Sequence, residues 1–254
     1  MSCAEESDDH WSYDDPSKWH EHFPAARGTS QLPIDIKYHH TIPRQYPPFT
    51  FSRDSMNQTM LVLRNTGHQI AATLPQQSES ENQTDLSVTG GGLTGKFDFI
   101  KFQLHWGRND RHGSEHEIDG HTFPAEAHVF YKNLETQQTT VFGFFFHVVQ
   151  SLHDENHEWK KYAHIASLLT KIDDKMNCTF NLSHLMQVEN RRFFRYIGSL
   201  TTPPCTEGII WTIFVDPIPI AEESLNLLRH NVMRKAYRPL QPINRRIIHR
   251  NYIH

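Results

Sequence analysis

The segment Phe97-Asp98-Phe99-Ile100-Lys101-Phe102-Gln103-Leu104-His105-Trp106-Gly107 decides how the chain folds. Its alternation of apolar and polar residues is typical of a β-strand that packs one face against a core. The apolar face is predicted to carry Ile100, Phe102, Leu104 and Trp106, and the opposite face Lys101, Gln103 and His105. His128 lies in the next predicted strand, so two histidines can meet over one cavity. Gln103 precedes His105 by two residues, where a third metal ligand would be expected.

The amino-acid composition predicts one domain built mainly of strands. A chain of 254 residues fits a single large domain. With 16 phenylalanines, 12 glycines and 14 prolines, and few long amphipathic helical runs, short strands joined by turns are expected. We therefore predict a single domain over residues 1–254, with a flexible acidic tail over residues 1–9.

Seven short runs bounded by turn residues predict strands, and two further runs predict helices. The predicted strands are Phe49–Phe51, Met60–Leu63, Gln69–Leu74, Phe97–Trp106, Glu126–Tyr131, Val141–Val149 and Ile209–Val215. The predicted helices are Trp159–Leu169 and Glu222–Arg229. The run over residues 141–149 is apolar on both faces, which favours a central position in the sheet.

The charged residues are distributed unevenly. The formal net charge is −4 at pH 7, and acidic residues cluster at the start of the chain. No acidic residue follows Glu223, whereas several arginines do. We expect these charges to form solvated or mutually paired surfaces. A polyanion-binding patch that includes Arg245 and Arg246 is the alternative, and we expect no nucleic-acid partner.

Several sequence features favour a secretory route. No apolar run approaches the roughly 20 residues that a membrane span requires, so no transmembrane segment is expected. The first residues are unlike a signal peptide, so the protein is either cytosolic or numbered after processing. Four glycosylation motifs, at Asn57, Asn82, Asn177 and Asn181, favour the second option. We therefore expect a secreted or extracellular glycoprotein.

A catalytic zinc site can be built from two strand histidines and a neighbouring polar residue. Zinc in such sites takes three protein ligands and keeps a fourth position for water, whose pKa falls to about 7. A pair at i and i+2 on one strand, with a third group from the adjacent strand, supplies three converging ligands. His105 and His128 suit this arrangement. In a chain with 19 histidines, however, two strand histidines alone are more often ordinary hydrogen-bonded residues.

Four segments, taken together and in this order, resemble the α-class carbonic anhydrases. They are Gln103-Leu104-His105-Trp106-Gly107, Gly113-Ser114-Glu115-His116-Glu117-Ile118-Asp119-Gly120, Pro124-Ala125-Glu126-Ala127-His128 and Tyr196-Ile197-Gly198-Ser199-Leu200-Thr201-Thr202-Pro203-Pro204-Cys205. The resemblance extends from His10-Trp11-Ser12-Tyr13 to Arg238-Pro239-Leu240-Gln241-Pro242, which is nearly the whole chain. It implies a mainly β (α+β) fold: one domain around a large, mostly antiparallel, ten-stranded twisted sheet with a few short helices. The metal would lie at the bottom of a conical cleft.

Carried over position by position, the resemblance implies a zinc site that acts on carbon dioxide and bicarbonate. His105 and His128 match zinc ligands, and Gln103 stands where the family has its first histidine. Thr201 matches the residue that accepts a hydrogen bond from the zinc-bound hydroxide and passes one to Glu115. That relay orients the nucleophile towards carbon dioxide.

The same resemblance implies supporting roles for residues around the metal position. Glu126 matches the carboxylate that fixes the tautomer of His128. His68 matches the proton shuttle at the rim of the cleft. Thr202 matches a residue that lines the substrate site. The apolar wall that holds carbon dioxide is matched by Val141, Leu200, Ile209 and Trp211.

Three departures from the family pattern fall where the chemistry is expected. Gln103 offers a neutral amide oxygen, which is a weaker donor than imidazole to a borderline-soft ion. Lys101 stands where the family often has a glutamine that supports the first ligand, and it adds a cation beside a dication. Phe130 stands where the family usually has valine, so its ring can obstruct the carbon dioxide pocket.

The cysteines leave the disulfide open. Cys205 directly follows the Thr-Thr-Pro-Pro turn, as in secreted and membrane-anchored members of the family, in which it forms a disulfide. Their partner cysteine would lie near Ala26, and none is there. Cys205 is therefore either free or paired with Cys3 or Cys178.

The departures favour a resemblance to the carbonic-anhydrase-related proteins, which keep the fold without a full zinc triad. We expect a secreted protein with weak or no carbon dioxide hydratase activity. It would act as a binding or matrix module with an extracellular protein or polyanion as partner, and Gln103 would make zinc binding weak or absent. The alternative is a working zinc enzyme with a Gln/His/His site, which the preserved Thr201, Glu115 and His68 favour.

Overall fold

A twisted sheet of twelve strands forms the body of the protein, and a separate sheet has two strands. The structure is a computed structural model that describes residues 11–76, 84–189, 191–233 and 235–253. The predicted tail over residues 1–9, together with Cys3 and Asn82, lies outside the described residues.

Fourteen strands and four α-helices are found in the part of the chain that the structure describes. The strands are β1 (Asp35–Ile36), β2 (Ile42–Pro43), β3 (Phe49–Phe51), β4 (Gln58–Asn65), β5 (Ile70–Thr73), β6 (Ser87–Gly90), β7 (Phe97–Trp106), β8 (Glu117–Ile118), β9 (Ala125–Lys132), β10 (Thr139–Val149), β11 (Lys175–Asn181), β12 (Phe193–Ser199), β13 (Glu207–Ala221) and β14 (His249–Arg250). The helices are α1 (Trp19–His22), α2 (His157–Leu168), α3 (Leu182–Met186) and α4 (Glu222–Asn231). Short 3-10 helices lie at Pro16–Lys18, Pro24–Arg27, Tyr38–His40 and Arg53–Met56.

The large sheet is mixed. Ten strands follow one another in the order β11-β4-β5-β7-β9-β10-β13-β12-β14-β2, while β6 joins β7 and carries β3. Most neighbours pair antiparallel, but β10 pairs parallel with β13 and β14 pairs parallel with β2. The predicted fold class is therefore confirmed.

The predicted number of ten strands is wrong, because β3 and β6 also belong to the large sheet. Strand β7 is long, and β5 pairs only with its second half, over residues 101–103. The first half of the same edge keeps free hydrogen-bonding groups, and β6 pairs there with Phe97 and Asp98. Unpaired edge groups of this kind favour the addition of a strand.

The seven predicted strands and both predicted helices are present, most of them with shifted ends. The bounds of β3 and β7 are as predicted, whereas β13 continues beyond Val215 to Ala221. Strands β11 and β12 were not predicted. The first five side chains of β11 are exposed or half-buried, so this edge strand shows no alternation of burial that a sequence pattern could follow.

A β-bulge in β7 changes the face on which Ile100 lies. The register of β7 against β9 shifts between Phe99 and Lys101. An extra residue in one strand reverses the alternation of side chains on one side of the bulge. Phe97 and Phe99 are therefore in the core, and Ile100 is 42% exposed, so the prediction for Ile100 was wrong. The other residues predicted for the apolar face are fully buried: Phe102, Leu104 and Trp106.

Strand β10 is central, as its two apolar faces predicted, because it lies between β9 and β13. Phe142, Phe144 and Phe146 join the larger hydrophobic cluster. Val141 and Phe145 join a smaller cluster, on the opposite face by the two-residue period of the strand. Residues of β9 that pair with this second set point the same way, and they include His128, which lies opposite Gly143.

The helices pack on the larger cluster. Helix α2 is capped by Asn156, whose side chain accepts hydrogen bonds from the Glu158 and Trp159 backbone N–H groups. Trp159 from α2 and Leu225 from α4 are buried in the larger cluster. None of the helices in the described residues is both long and apolar enough to cross a bilayer. The helices cover the face of the sheet that carries the larger cluster, and the candidate site lies on the other face, with His128.

Candidate metal centre

The pairing of β7 with β9 brings the predicted ligands together. Gln103 lies opposite His128, and His105 lies opposite Glu126. Directly paired residues share a face of an antiparallel sheet, and residues two apart do so as well. All four side chains therefore lie on one face. Their exposed fractions are 1% for Gln103 and 0% for the other three.

Hydrogen bonds fix the tautomer of His105. Its Nδ1 lies 2.8 Å from the Ala236 carbonyl oxygen, which can only accept, so Nδ1 carries the proton. Its Nε2 therefore presents a lone pair. Gln103 Nε2 donates to that lone pair over 3.0 Å, and Gln103 Oε1 is buried with no hydrogen-bond partner among the described residues.

Glu115 faces both histidines. Its Oε1 accepts a hydrogen bond from the Arg238 backbone N–H at 2.9 Å. Its Oε2 lies 3.6 Å from His105 Nε2 and 3.8 Å from His128 Nδ1. Both Glu115 Oε2 and His128 Nδ1 are buried and lack a hydrogen-bond partner within the described part of the chain. We call these three atoms, His105 Nε2, His128 Nδ1 and Glu115 Oε2, the acceptor cluster.

Glu126 holds the opposite side of His128. Its Oε1 accepts from His128 Nε2 at 2.8 Å and from His116 Nδ1 at 2.7 Å. Its Oε2 accepts from the backbone N–H groups of Glu115 and His116. Tyr196 completes the chain by donating its hydroxyl to His116 Nε2 at 2.5 Å. We call Glu126, His116 and Tyr196 the support network.

Burial and charge set the protonation of the site. Burial lowers the pKa of His105 well below its usual value, and His128 lowers it further. Burial also lowers the pKa of His128, although Glu126 opposes the shift. Burial raises the pKa of Glu115 well above its usual value, Glu126 adds to the rise, and Thr201 opposes it. Both histidines are therefore neutral near pH 7 and keep their lone pairs.

The carboxyl group of Glu126, in the support network, stays ionised down to low pH. Burial alone would raise the pKa of Glu126, but the adjacent His116 and His128 hold it well below its usual value. Hydrogen bonds donated to a carboxyl group stabilise its ionised form. Glu126 is therefore an anion that keeps His128 Nε2 protonated and His128 Nδ1 free for a ligand.

The donor set fits a divalent cation such as zinc. The three atoms of the acceptor cluster lie within 4.8 Å of one another. Ligand atoms around a tetrahedral zinc, at about 2.0–2.1 Å from it, are about 3.3 Å apart. The free ring nitrogens of His105 and His128 are therefore close enough to serve one metal ion after a small adjustment. Gln103 fits less well, because its amide nitrogen and not its oxygen faces the His105 lone pair.

The predicted apolar wall is assembled next to the histidines. Phe130, Val141, Ile209 and Trp211 are buried in the smaller hydrophobic cluster, and Leu200 packs against it. The centroid of the Trp211 rings lies 4.8 Å from that of His128. Lys101 is half-buried, and its Nζ lies 4.8 Å from the centroid of the Phe130 ring. Burial lowers the pKa of Lys101 to about 8.

The remaining predicted residues lie at different depths. Thr201 is 3% exposed and interacts with Glu115, whereas Thr202 is half-buried. His68 stacks on Trp11 with ring centroids 3.9 Å apart and lines a cavity of about 360 Å³. Among the described residues that line this cavity, none is a predicted metal ligand.

Three contacts of the site were missed by sequence reasoning. His116 bridges Glu126 and Tyr196, the Ala236 carbonyl orients His105, and Trp11 stacks on His68. A signal for His116 was present, because it directly follows Glu115 in a segment that carries the family resemblance. No local pattern marks the Ala236 carbonyl, which is 131 residues from His105 along the chain.

Two of the predicted glycosylation sites are accessible, and one is not. Asn57 and Asn177 are exposed. Asn181 is 6% exposed, and its Nδ2, to which a glycan would be attached, donates to the Met56 carbonyl oxygen. Its Oδ1 also accepts from the His184 backbone N–H, where it caps α3. Asn181 is therefore unsuited to glycosylation in the folded protein.

The structure narrows the cysteine alternatives. Cys178 is half-buried and Cys205 is buried, and both are free thiols in the described part of the chain. The alternative of a Cys178–Cys205 disulfide is therefore wrong for this structure. Cys3, the other cysteine named as a partner, lies outside the described residues.

The C-terminal arginines are mostly engaged by the protein. Arg229 donates to the Gly107 carbonyl oxygen and pairs with Asp110 at 2.8 Å. Arg246 donates to three backbone carbonyl groups, including that of Ser30. Arg245 is exposed. This region is therefore only partly available for a polyanion.

Comparison with known proteins identifies the family of the chain. The profile of the eukaryotic-type carbonic anhydrases matches residues 14–252. The chain is 31% identical over 257 residues to "Putative carbonic anhydrase 3" of Caenorhabditis elegans, covering 94% of this chain and 97% of the relative. It is 29% identical over 263 residues to carbonic anhydrase 7 of Homo sapiens, covering 94% of this chain and 96% of the relative.

The chain belongs to the eukaryotic-type carbonic anhydrase family. Members of this family act on carbon dioxide and bicarbonate and are generally zinc-dependent. The recognition made from sequence motifs is thus confirmed at the level of the family.

Proposed function

We propose that this protein keeps the carbonic anhydrase fold with weak or no carbon dioxide hydratase activity, and that it acts mainly by binding a partner. The observation that carries the proposal is the position of Gln103. Its Nε2 donates to His105 Nε2, the nitrogen that a metal would need. An amide N–H on that lone pair competes with a metal, and an amide oxygen is a weaker donor than imidazole.

The residues present divide the work of the site. Zinc, when bound between His105 and His128, supplies a Lewis acid that makes water nucleophilic near neutral pH. Glu126 holds His128 with Nδ1 unprotonated. Val141 and Trp211 exclude water from the face where carbon dioxide would lie. The Phe130 ring is buried in the same hydrophobic cluster, where it would narrow that space and add to the effect of Gln103.

Stopped-flow measurement of carbon dioxide hydration tests the proposal. We expect zinc-saturated protein to be at least about 10–100-fold slower than its Gln103→His variant, since even changes behind a metal ligand have effects of that size. Gln138→His, an exposed position between β9 and β10, is the matched control and should leave the rate unchanged. Equal rates for the unmodified protein and Gln103→His would refute the proposal.

A working enzyme is the second candidate, favoured by one specific observation. Thr201 is buried against Glu115, which is the arrangement that orients a nucleophile in the family. This candidate predicts a substantial hydration rate for unmodified, zinc-saturated protein and a large loss of that rate in Thr201→Ala. A rate at the level of the uncatalysed reaction would exclude it.

Secretion is also part of the proposal. The exposed Asn57 and Asn177 support it, because both motifs lie at the protein surface. Treating native protein with an N-glycosidase should lower its mass, and the decrease should be smaller in Asn57→Gln or Asn177→Gln. Native protein without glycan at either residue would contradict this part of the proposal.

A polyanion is one candidate for the partner. The exposed Arg245 supports it, and binding to sulfated polysaccharide would weaken as salt rises. Arg245→Gln should lower the salt concentration needed for elution from a heparin column. Elution that does not change would leave a protein surface as the better candidate.

A further inference from the structure

The acceptor cluster brings three lone pairs towards one point. Nδ1 of His105 and Nε2 of His128 carry the ring protons, so the other ring nitrogens are acceptors. Glu115 Oε2 is also an acceptor when the carboxyl group is ionised. All three atoms are buried, and the Gln103 amide donates to one of them, His105 Nε2, while the other two have no hydrogen-bond partner among the described residues.

With Glu115 ionised, such an arrangement is unfavourable unless a cation joins the acceptors, either a proton on Glu115 or a metal ion. A buried polar atom without a partner typically costs about 1–3 kcal/mol, and two atoms of the cluster are in this state. Lone pairs that face one another also repel. A divalent metal would turn all three contacts into bonds at once.

The distances identify Glu115 as close enough to be a ligand. Its Oε2 lies 3.6 Å from His105 Nε2 and 3.8 Å from His128 Nδ1. Two ligands of one tetrahedral zinc are about 3.3 Å apart, so a small adjustment is sufficient. Gln103 would have to rotate its amide group to offer its oxygen, whereas Glu115 Oε2 already faces the free nitrogens of both histidine rings.

We infer that Glu115 is the third protein ligand of a divalent metal in this chain, with His105 Nε2 and His128 Nδ1 as the other two. The site is then a two-histidine, one-carboxylate centre in place of the three-histidine centre of the family. This inference rests on the proposed function, because it concerns the same site. Sites of this composition bind zinc and also iron(II) or cobalt(II).

Ligation by Glu115 has consequences for the site. The net charge of metal plus ligands falls from +2 to +1, so the metal is a weaker Lewis acid. Glu115 also ceases to be available to Thr201. Both effects act in the direction of weak hydratase activity, and both follow from the absence of a third histidine.

Zinc titration against a competing chelator tests the inference through a double-mutant cycle. We expect Glu115→Gln to weaken zinc binding more than about 100-fold in the native background, beyond the 10–100-fold typical of residues behind a ligand. In the Gln103→His background, a third imidazole is present, and the same change should weaken binding by no more than about 100-fold. Equal losses in both backgrounds, or a small loss in both, would overturn the inference.

Two further measurements keep the result interpretable. Glu117→Gln is the matched control, since Glu117 lies two residues away among Asp35, Lys37 and other surface groups. A crystal structure of the unmodified protein with zinc should show Glu115 Oε2 at about 2.0–2.2 Å from the metal, and a separation above about 3 Å would contradict the inference. This result holds even if a variant fails to fold.

The two proposals fail in different ways. Hydration at the rate of the Gln103→His variant would remove the proposed function without deciding the ligand set. Zinc affinity that does not depend on Glu115 would remove the inference without changing the measured hydration rate.

Discussion

The acceptor cluster and the support network meet at His128 in β9 and are similarly buried, yet they differ in hydrogen bonding. In the support network, the Glu126 carboxylate accepts four hydrogen bonds. In the acceptor cluster, Glu115 Oε2 and His128 Nδ1 accept none in the described part of the chain. Burial alone therefore does not distinguish residues that stabilise the fold from residues that are arranged to bind a ligand. The hydrogen bonds of the buried polar atoms make that distinction.

The two regions should therefore respond in opposite ways to mutation. Loss of a group from the support network removes hydrogen bonds that the folded chain already makes. On the side that faces the cleft, replacing the buried Lys101 is expected to raise stability. Binding of a metal at the acceptor cluster is expected to raise it as well. The four predictions below test this contrast.

The largest expected effect is the loss of stability in Glu126→Gln. An amide offers one acceptor oxygen and an N–H₂ group to four donors, so at least one donor loses its partner and the buried charge is removed. Each buried donor left without a partner costs about 1–3 kcal/mol, so with one acceptor oxygen for four donors we expect a loss of about 3–5 kcal/mol. Urea denaturation of zinc-free protein measures it, with Glu117→Gln as a control expected to change stability by less than about 0.5 kcal/mol. Similar losses of stability in Glu126→Gln and Glu117→Gln would contradict the contrast between the support network and the acceptor cluster.

The second effect is stabilisation by zinc. A ligand that binds only the folded state adds about 2.7 kcal/mol to stability at a concentration 100 times its Kd. We expect zinc to raise the melting temperature and a chelator to reverse the change. Magnesium should have no such effect, because it prefers six oxygen ligands. A melting temperature indifferent to zinc would show that the acceptor cluster does not bind metal.

The sequence predicted the parts of this contrast that depend on strand periodicity. The alternation in β7 placed Gln103 and His105 on one face, and the Ala-Glu-Ala-His segment placed Glu126 beside His128. The apolar run over residues 141–149 correctly predicted a central strand. These features need only the period of two residues, which is local.

The rest depends on contacts between distant parts of the chain. The bulge between Phe99 and Lys101 arises in the pairing with β9, and it directs the Ile100 side chain towards solvent and away from the core. The tautomer of His105 depends on the Ala236 carbonyl group, and the position of Glu115 depends on the Arg238 backbone N–H. No pattern in a single segment contains this information, so the unsatisfied acceptors could be found only in the folded chain.

The third effect is a gain of stability in Lys101→Met, on the order of 2 kcal/mol at pH 7. Burial lowers the pKa of Lys101 to about 8, against about 10.4 in an unfolded chain, and at about 1.4 kcal/mol per pKa unit the whole shift corresponds to about 3 kcal/mol. Because Lys101 is only half-buried, contact with solvent is expected to reduce this to about 2 kcal/mol. Between these values the unfolded chain binds more protons than the folded chain, so stability rises with pH. Methionine removes the charge, and its gain is expected below pH 8 and absent above about pH 10.5.

Denaturation of both proteins at pH 7 and pH 10.5 measures this difference. Lys175→Met, at an exposed position of β11, is the control and should change stability little at either pH. A gain that is the same at both pH values would mean that packing, and not the buried charge of Lys101, explains it.

The smallest effect is the loss of about 0.5–1.5 kcal/mol in Tyr196→Phe, which removes one hydrogen bond at the end of the support network. The Tyr196 hydroxyl donates to His116 Nε2, so its removal leaves a buried acceptor unpaired while the ring still fills its space. Tyr131→Phe is the matched control, because the Tyr131 hydroxyl is also buried but donates only weakly, to the Met186 sulfur at 3.6 Å. Denaturation should show the larger loss for Tyr196→Phe. If Tyr131→Phe lost as much, the stability of the support network would come from burying its rings, and the contrast with the acceptor cluster would not rest on hydrogen bonding.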